Sequence, residues 1–211
     1  MIGNVIYIIF WNFFWIPVRL FFKFFLNFKV ETQEDLKRLK GPLIIVANHN
    51  TLLDSFLVGN AFPWRSSIFP IRFACLDKYY YHPLLFFLRS FGAFPIKKGL
   101  GVEKNLEFAI KIIQNRGVVG IFPEGGRKFL PKPEKGKKGT AYLAIKTNTP
   151  ILPVFIEGNS KGLPLNKIFA RKLRITVKIG KPFKIKSKDL SLANLDQETK
   201  RIIKKIRDLA D

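Results

Sequence analysis

Four short apolar runs punctuate the chain: "PLIIVA" (42–47), "RFACL" (72–76), "GVVGIF" (117–122) and "ILPVFI" (151–156). Runs of this length, bounded by turn-forming residues and rich in β-branched side chains, read as short, mostly buried strands. Helical patterns lie between and after them. In "VEKNLEFAIKIIQNRG", Val102, Leu106, Ala109, Ile110 and Ile113 recur at helical spacing, and Gly117 supplies the stop. In "LDQETKRIIKKIRDLA", Leu195, Ile202, Ile206 and Leu209 face inward and cations face out. "LRITVKI" (173–179) alternates apolar with basic residues, as a strand wet on one side does. Strands alternating with helices restrict the chain to an α/β fold with a mixed, largely parallel central sheet flanked by helices. There is no internal repeat, and "LPKPEKGKKG" (130–139) reads as a basic loop beside a site.

The first 28 residues have a different texture. They hold no acidic residue, no basic residue before Arg19, and eight of the 22 Phe together with Tyr7, Trp11 and Trp15. A signal peptide does not fit, because a basic leading region and a small-residue cleavage site are both missing. The uncharged stretch before Arg19 makes about 27 Å of helix, short of a ~30 Å hydrocarbon core. Pro17 also interrupts it. Beyond Pro17, which suits a first helical turn, Arg19, Lys23 and Asn27 share one stripe among Phe and Leu. Residues 1–28 are therefore expected to form two short membrane-anchoring helices seated in one leaflet, with residues 29–211 as the α/β domain. A buried hairpin and a single spanning helix are the other structures this segment allows.

Charge and cysteine content narrow the chemistry. Lys and Arg number 37 against 15 Asp and Glu, a net charge of +22, which favours polyanionic partners: nucleic acid, anionic lipid, phosphorylated ligands or an acidic protein. The single cysteine, Cys75, excludes an internal disulfide and is expected to be a small buried hydrophobe. With only His49 and His82, a classical zinc cluster is not expected. His82, in "YYYHPLL", reads as structural.

In a parallel α/β sheet, ligands gather at the carboxyl ends of strands. Two strand ends here are unusual, "IIVANHNTLLD" and "GIFPEGGRK". On one straight helix His49 and Asp54 would lie about 140° apart. They meet if His49 precedes the helix and Asp54 sits in its first turn, and "TLLD" fits a capping box with Thr51 as N-cap and Asp54 at N3. That box alone would account for Asp54. In "FPEGGRK", consecutive glycines let backbone N–H groups approach an anion. Arg127 offers a planar fork for phosphate, and Glu124 can fix that arginine or accept a ligand hydroxyl. A plain surface turn is the alternative.

Together the segments resemble the glycerolipid acyltransferase family, which includes 1-acylglycerol-3-phosphate acyltransferases. The family's ordered blocks appear here as "NHNTLLD" (48–54, the NHx4D block), "GAFPIKK" (92–98), "FPEGGRK" (122–128) and "TPILPVFI" (149–156), with "KKGTAYLA" (137–144) between the last two. The resemblance spans roughly residues 40–160. It implies direct acyl transfer from a thioester, acyl-carrier protein or acyl-CoA, to the free sn-2 hydroxyl of lysophosphatidic acid, forming phosphatidic acid at a membrane. His49 would be the general base and Asp54 would orient it. Lys98, Glu124, Gly125 and Arg127 would serve the substrate phosphate. No metal or organic cofactor is called for, and the implied location is the cytoplasmic face of the cell membrane, peripheral or monotopic. The chain departs from the pattern at Lys98, usually arginine, and at Gly126 and Lys128, usually Thr and Ser. These departures leave a different lysophospholipid, or another lipid alcohol or amine, open as acceptor. A membrane-bound polyanion-binding protein would use the charge and ignore the motifs. No nucleic acid is expected as partner, since the cations are scattered and no nucleic-acid motif is present.

Overall fold

The computed structural model describes residues 15–63, 66–85, 87–97, 99–160 and 173–211. Its strands are β1 (Asn27–Thr32), β2 (Leu43–Ala47), β3 (Ile71–Leu76), β4 (Phe94–Ile96), β5 (Val118–Ile121), β6 (Ile151–Glu157) and β7 (Arg174–Ile179). Its helices are α1 (residues 15–25), α2 (Asp54–Asn60), α3 (Asp77–Tyr80), α4 (Phe87–Ser90), α5 (Val102–Gln114), α6 (Gly139–Thr147) and α7 (Leu192–Arg207). The strands form one sheet in the order β1-β7-β6-β2-β5-β3-β4. From β6 to β4 every neighbouring pair is parallel. β7 turns against β6 and carries β1 parallel to itself. The fold is mixed, largely parallel α/β.

Period-two alternation in the central strand builds two cores. Leu43, Ile45 and Ala47 of β2 point into the layer made by α1 and α2, whereas Ile44 and Val46 point into that of α5, α6 and α7. All five are buried, which is why the run carries no polar residue. After β2 the chain enters α2 on one face, and after β5 it goes on to α6 on the other. The carboxyl ends of these paired strands thus flank a topological switch point, where ligands collect in such sheets.

The described part of the N-terminal segment, α1, divides its faces. Trp15, Phe22 and Leu26 are buried in the core, and the Trp15 ring meets Phe56, Phe69 and Phe91 with centroids 5.9, 6.3 and 5.5 Å away. Ile16, Leu20 and Phe24, four residues apart, are exposed. The expected cationic stripe is corrected at Arg19. Its guanidinium turns inward and donates to Phe62 O at 2.8 Å and Gly59 O at 3.5 Å, beside the C-terminal end of α2, where a cation is favoured. The helix also ends earlier than expected, because Asn27 and Phe28 already pair with β7. The first of the two expected helices lies outside the described residues. Among the described residues no helix is long and apolar enough to cross a membrane.

Other departures are local. α5 stops at Gln114 because Arg116, at φ 58°, takes the left-handed position of a Schellman turn. Its N–H bonds Ile113 O, and that of Gly117 bonds Ile112 O, both at 2.9 Å. Val102, expected on the buried face, is exposed at the start of that helix. Cys75, expected in the core, is half-buried because only Ile71 of β3 is fully covered. Burial still pushes its thiol up to about 11, so it stays protonated at neutral pH.

Candidate active site

β2 ends by handing its ladder to a side chain. Buried Asn48 donates from Nδ2 to Ile156 O (2.9 Å) and accepts Ile156 N–H on Oδ1 (2.7 Å). The amide replaces one residue's worth of backbone pairing with β6, so the main chain is free to leave the sheet at His49. From there it wraps a fully buried carboxylate. Asp54 Oδ2 accepts from His49 Nδ1 at 2.9 Å, Asn50 N–H at 2.6 Å and Thr51 N–H at 2.8 Å. Its Oδ1 accepts from the Thr51 hydroxyl at 2.6 Å and from Asn159 Nδ2 at 2.9 Å.

Five donors therefore converge on Asp54, and the expected capping box is only half formed. The carboxylate reaches back to Thr51 N–H as such a box requires. The helix, however, begins at Asp54 with Leu53 as N-cap and no side-chain cap, because the Thr51 hydroxyl is turned onto the carboxylate instead. What Asp54 orders is the His49 loop.

A carboxylate facing Nδ1 assigns the hydrogen to that nitrogen and leaves the lone pair on Nε2. The ring is 19% exposed and lies flat on Phe122, with centroids 4.1 Å apart and planes 12° apart. Phe122 in turn stacks on Phe73 at 5.5 Å. Gly120 makes room for this stack, since a Cβ there would come within 2.3 Å of the Phe73 ring. The imidazole thus has one nitrogen held, one face packed and an edge open to solvent.

The glycine turn after β5 grips the main chain of His49 from both sides. Glu124 Oε1 accepts His49 N–H at 2.8 Å, and Lys128 N–H donates to His49 O at 3.0 Å. Glu124 is buried, which pushes its carboxyl above the usual range, while the bond from His49 N–H pulls the other way. It faces His49 and not Arg127. Gly125 adopts φ 68°, a conformation that suits glycine. Its N–H donates to Phe122 O at 3.0 Å, so what it offers an anion is the shape of the turn. Arg127 is exposed at the rim. Lys98 lies outside the described residues.

The structure therefore brings His49, Asp54, Glu124 and Gly125 together, with Arg127 on the same turn. It adds two asparagines that motif reasoning missed. Asn159 is buried, and its amide joins Asp54 to Asn50, accepting Asn50 Nδ2 on Oδ1 at 3.1 Å. Asn50 also exchanges hydrogen bonds with Leu130, tying in the basic loop. The signal was available: Asn159 stands two residues past β6, a third strand end at the same sheet edge.

The family model described as Acyltransferase matches residues 27–157, more than half of the chain. The chain belongs to the acyltransferase family. Among its relatives, the 1-acyl-sn-glycerol-3-phosphate acyltransferase of Saccharomyces cerevisiae is 28% identical over 158 residues, 69% of this chain and 50% of that protein. The human 1-acyl-sn-glycerol-3-phosphate acyltransferase beta is 26% identical over 163 residues, 75% of this chain and 57% of that one. The chain thus spans about half the length of these curated relatives. The crystal structure of the 1-acyl-sn-glycerophosphate acyltransferase PlsC from Thermotoga maritima superposes with a TM-score of 0.61 at 22% identity, covering 91% of this chain and 79% of that one. At that identity the likeness speaks for the fold alone.

Proposed function

We propose that this chain transfers a fatty acyl group from a thioester, acyl-carrier protein or acyl-CoA, to the sn-2 hydroxyl of 1-acylglycerol 3-phosphate, yielding phosphatidic acid. The observation that carries the reading is the His49 Nδ1–Asp54 Oδ2 bond of 2.9 Å at the sheet's carboxyl edge. It leaves Nε2 free to take the proton of a hydroxyl. The hydroxyl oxygen then attacks the thioester carbonyl, the C–S bond breaks, and the thiolate leaves carrying the electron pair. The imidazolium returns the proton to that thiolate. A thiolate is a good leaving group, so no second acid is required. Asp54 fixes the tautomer and stabilises the imidazolium. The stack of Phe122 and Phe73 beside the ring supplies an apolar wall suited to an acyl chain.

Arg127 binds the acceptor phosphate in this reading, with Glu124 and Gly125 holding the turn that carries it and Lys98 as a further cation. The test compares acceptors with and without a phosphate. Arg127→Ala should lower kcat/KM for 1-acylglycerol 3-phosphate by about 10- to 100-fold, as loss of a charge-assisted pair does. A phosphate-free monoacylglycerol should be little affected. Equal losses on both would remove Arg127 from the phosphate site, and activity only on phosphate-free acceptors would replace the proposed substrate.

Residues 1–28 carry the membrane-seating face of the molecule in the same reading, on the cytoplasmic face of the cell membrane, while the buried side of α1 and the start of β1 pack into the transferase domain that continues through residues 29–211. Ile16, Leu20 and Phe24 make an exposed apolar row on α1, and each side chain moved from water into lipid contributes roughly 1.5–3 kcal/mol. Replacing all three by Asp should weaken co-sedimentation with neutral phosphatidylcholine vesicles at least about 100-fold. Undiminished co-sedimentation would place the anchor elsewhere.

A further inference from the structure

The turn that braces His49 carries a cation that its own motif does not contain. A Cβ built on Gly125 would lie 2.5 Å from both Cδ and Cε of Lys137 and 3.1 Å from its Nζ. The lysine side chain therefore runs across the turn, over the place where any other residue at 125 would put its own. The backbone directs it there, since Lys137 N–H donates to Pro123 O at 2.7 Å. The loop before it is fastened by α7 and the C-terminus. Arg207 donates to Pro133 O and Glu134 O at 3.2 and 3.4 Å, and Lys132 pairs with Asp211. Lys137 itself is exposed. The nearest carboxylate on the turn, Glu124, is occupied by His49 N–H. Around Gly126 there is open space, with no atom within 4 Å of where a Cβ would stand.

We propose that Lys137 is an acceptor-binding residue, whose ammonium joins the Arg127 guanidinium in holding the phosphate monoester of the acceptor over the Gly125–Gly126 turn. This rests on the acyl-transfer reading above. A phosphate monoester is close to a dianion at neutral pH, and of the cations assigned to it above only Arg127 lies on this turn. Lysine adds a point charge with three donors beside the planar fork. The acceptor is favoured over the donor by the size of each molecule. The turn fixes His49 through two main-chain bonds, so a phosphate held there keeps a set offset from Nε2. The acceptor's hydroxyl and phosphate share one glycerol unit. The donor's phosphates are separated from its thioester by the whole pantetheine arm.

Initial rates of the full chain in mixed micelles test this with wild type, Lys137→Gln and Lys137→Arg. Lys137→Gln is expected to raise KM for 1-acylglycerol 3-phosphate about 10- to 100-fold. Its kcat should stay within about threefold and its donor KM within about twofold, and Lys137→Arg should recover most of the loss. An unchanged acceptor KM overturns the proposal, as does a rise in donor KM alone. Equal losses in both variants would make Lys137 a support for the turn, which also overturns it. Calorimetric titration with glycerol 3-phosphate gives a readout independent of turnover. The Kd should weaken about tenfold in Lys137→Gln, and an unchanged Kd sinks the proposal. A wild type that binds glycerol 3-phosphate but transfers no acyl group would count against the acyl-transfer reading and leave the Lys137 site standing.

Discussion

His49→Ala is expected to lower kcat by about 10²–10⁴-fold, the usual contribution of a positioned general base, with the fold intact. Both braces on this residue, the N–H donated to Glu124 and the carbonyl that accepts from Lys128, are main-chain bonds that alanine keeps. What it loses is the bond to Asp54 and the stack on Phe122, the stack being worth about 0.5–1.5 kcal/mol. The melting temperature should then fall by only a few degrees, at roughly 2–4 °C per kcal/mol for a chain of this size. Steady-state kinetics and a melting curve on the same preparation check both halves. A variant retaining more than about a tenth of wild-type kcat would be incompatible with the base assignment.

Asp54→Asn separates orientation from charge. An asparagine that turns its oxygen to the three N–H donors still satisfies His49 Nδ1, Asn50 N and Thr51 N, and its amide nitrogen faces the Thr51 hydroxyl, which can accept. Only Asn159 Nδ2 is left facing a donor. The loop should therefore keep its shape at a cost of about 1 kcal/mol. The imidazolium formed during transfer, however, loses its counter-charge, and kcat should fall by about 10³–10⁴-fold on the precedent of Asp–His pairs in hydrolases. Asp54→Ala strands all five donors and should destabilise by about 3 kcal/mol or more, lowering the melting temperature by roughly 6–12 °C. If Asp54→Asn melts lower but keeps its kcat, Asp54 is a structural knot and no partner in catalysis.

These two residues were legible in the sequence because spacing and position coincide. A histidine and an aspartate five apart, at the end of a run too apolar to be anything but a central strand, can meet only where a chain leaves a sheet and enters a helix. Three of the four apolar runs were legible for the same reason, since β2, β5 and β6 are buried over almost their whole length, whereas β3 carries Arg72 and is only partly covered. β1 and β4 were not. "NFKVET" is half-exposed at an edge and carries Lys29 and Glu31, and β4 is three residues long, so neither has a period to read. Arg19 misled because its spacing fits a surface stripe, whereas its partners are carbonyls 40 and 43 residues away. Asn159 reaches further still, 105 residues back to Asp54, and Lys137 lies across a turn about twelve residues before it. Periodicity reports which face of an element is covered, and says nothing about which distant turn a side chain will lie across.

Direct transfer to a phosphate-bearing lysolipid can be tested in one measurement. Purified chain in mixed micelles is given an acyl thioester, and released thiol and newly formed phosphatidic acid are counted together, with and without 1-acylglycerol 3-phosphate. The expected result is one thiol released for each phosphatidic acid formed, and thiol release near background when the acceptor is omitted. Thiol release at the full rate without acceptor, or no phosphatidic acid in its presence, would contradict the account.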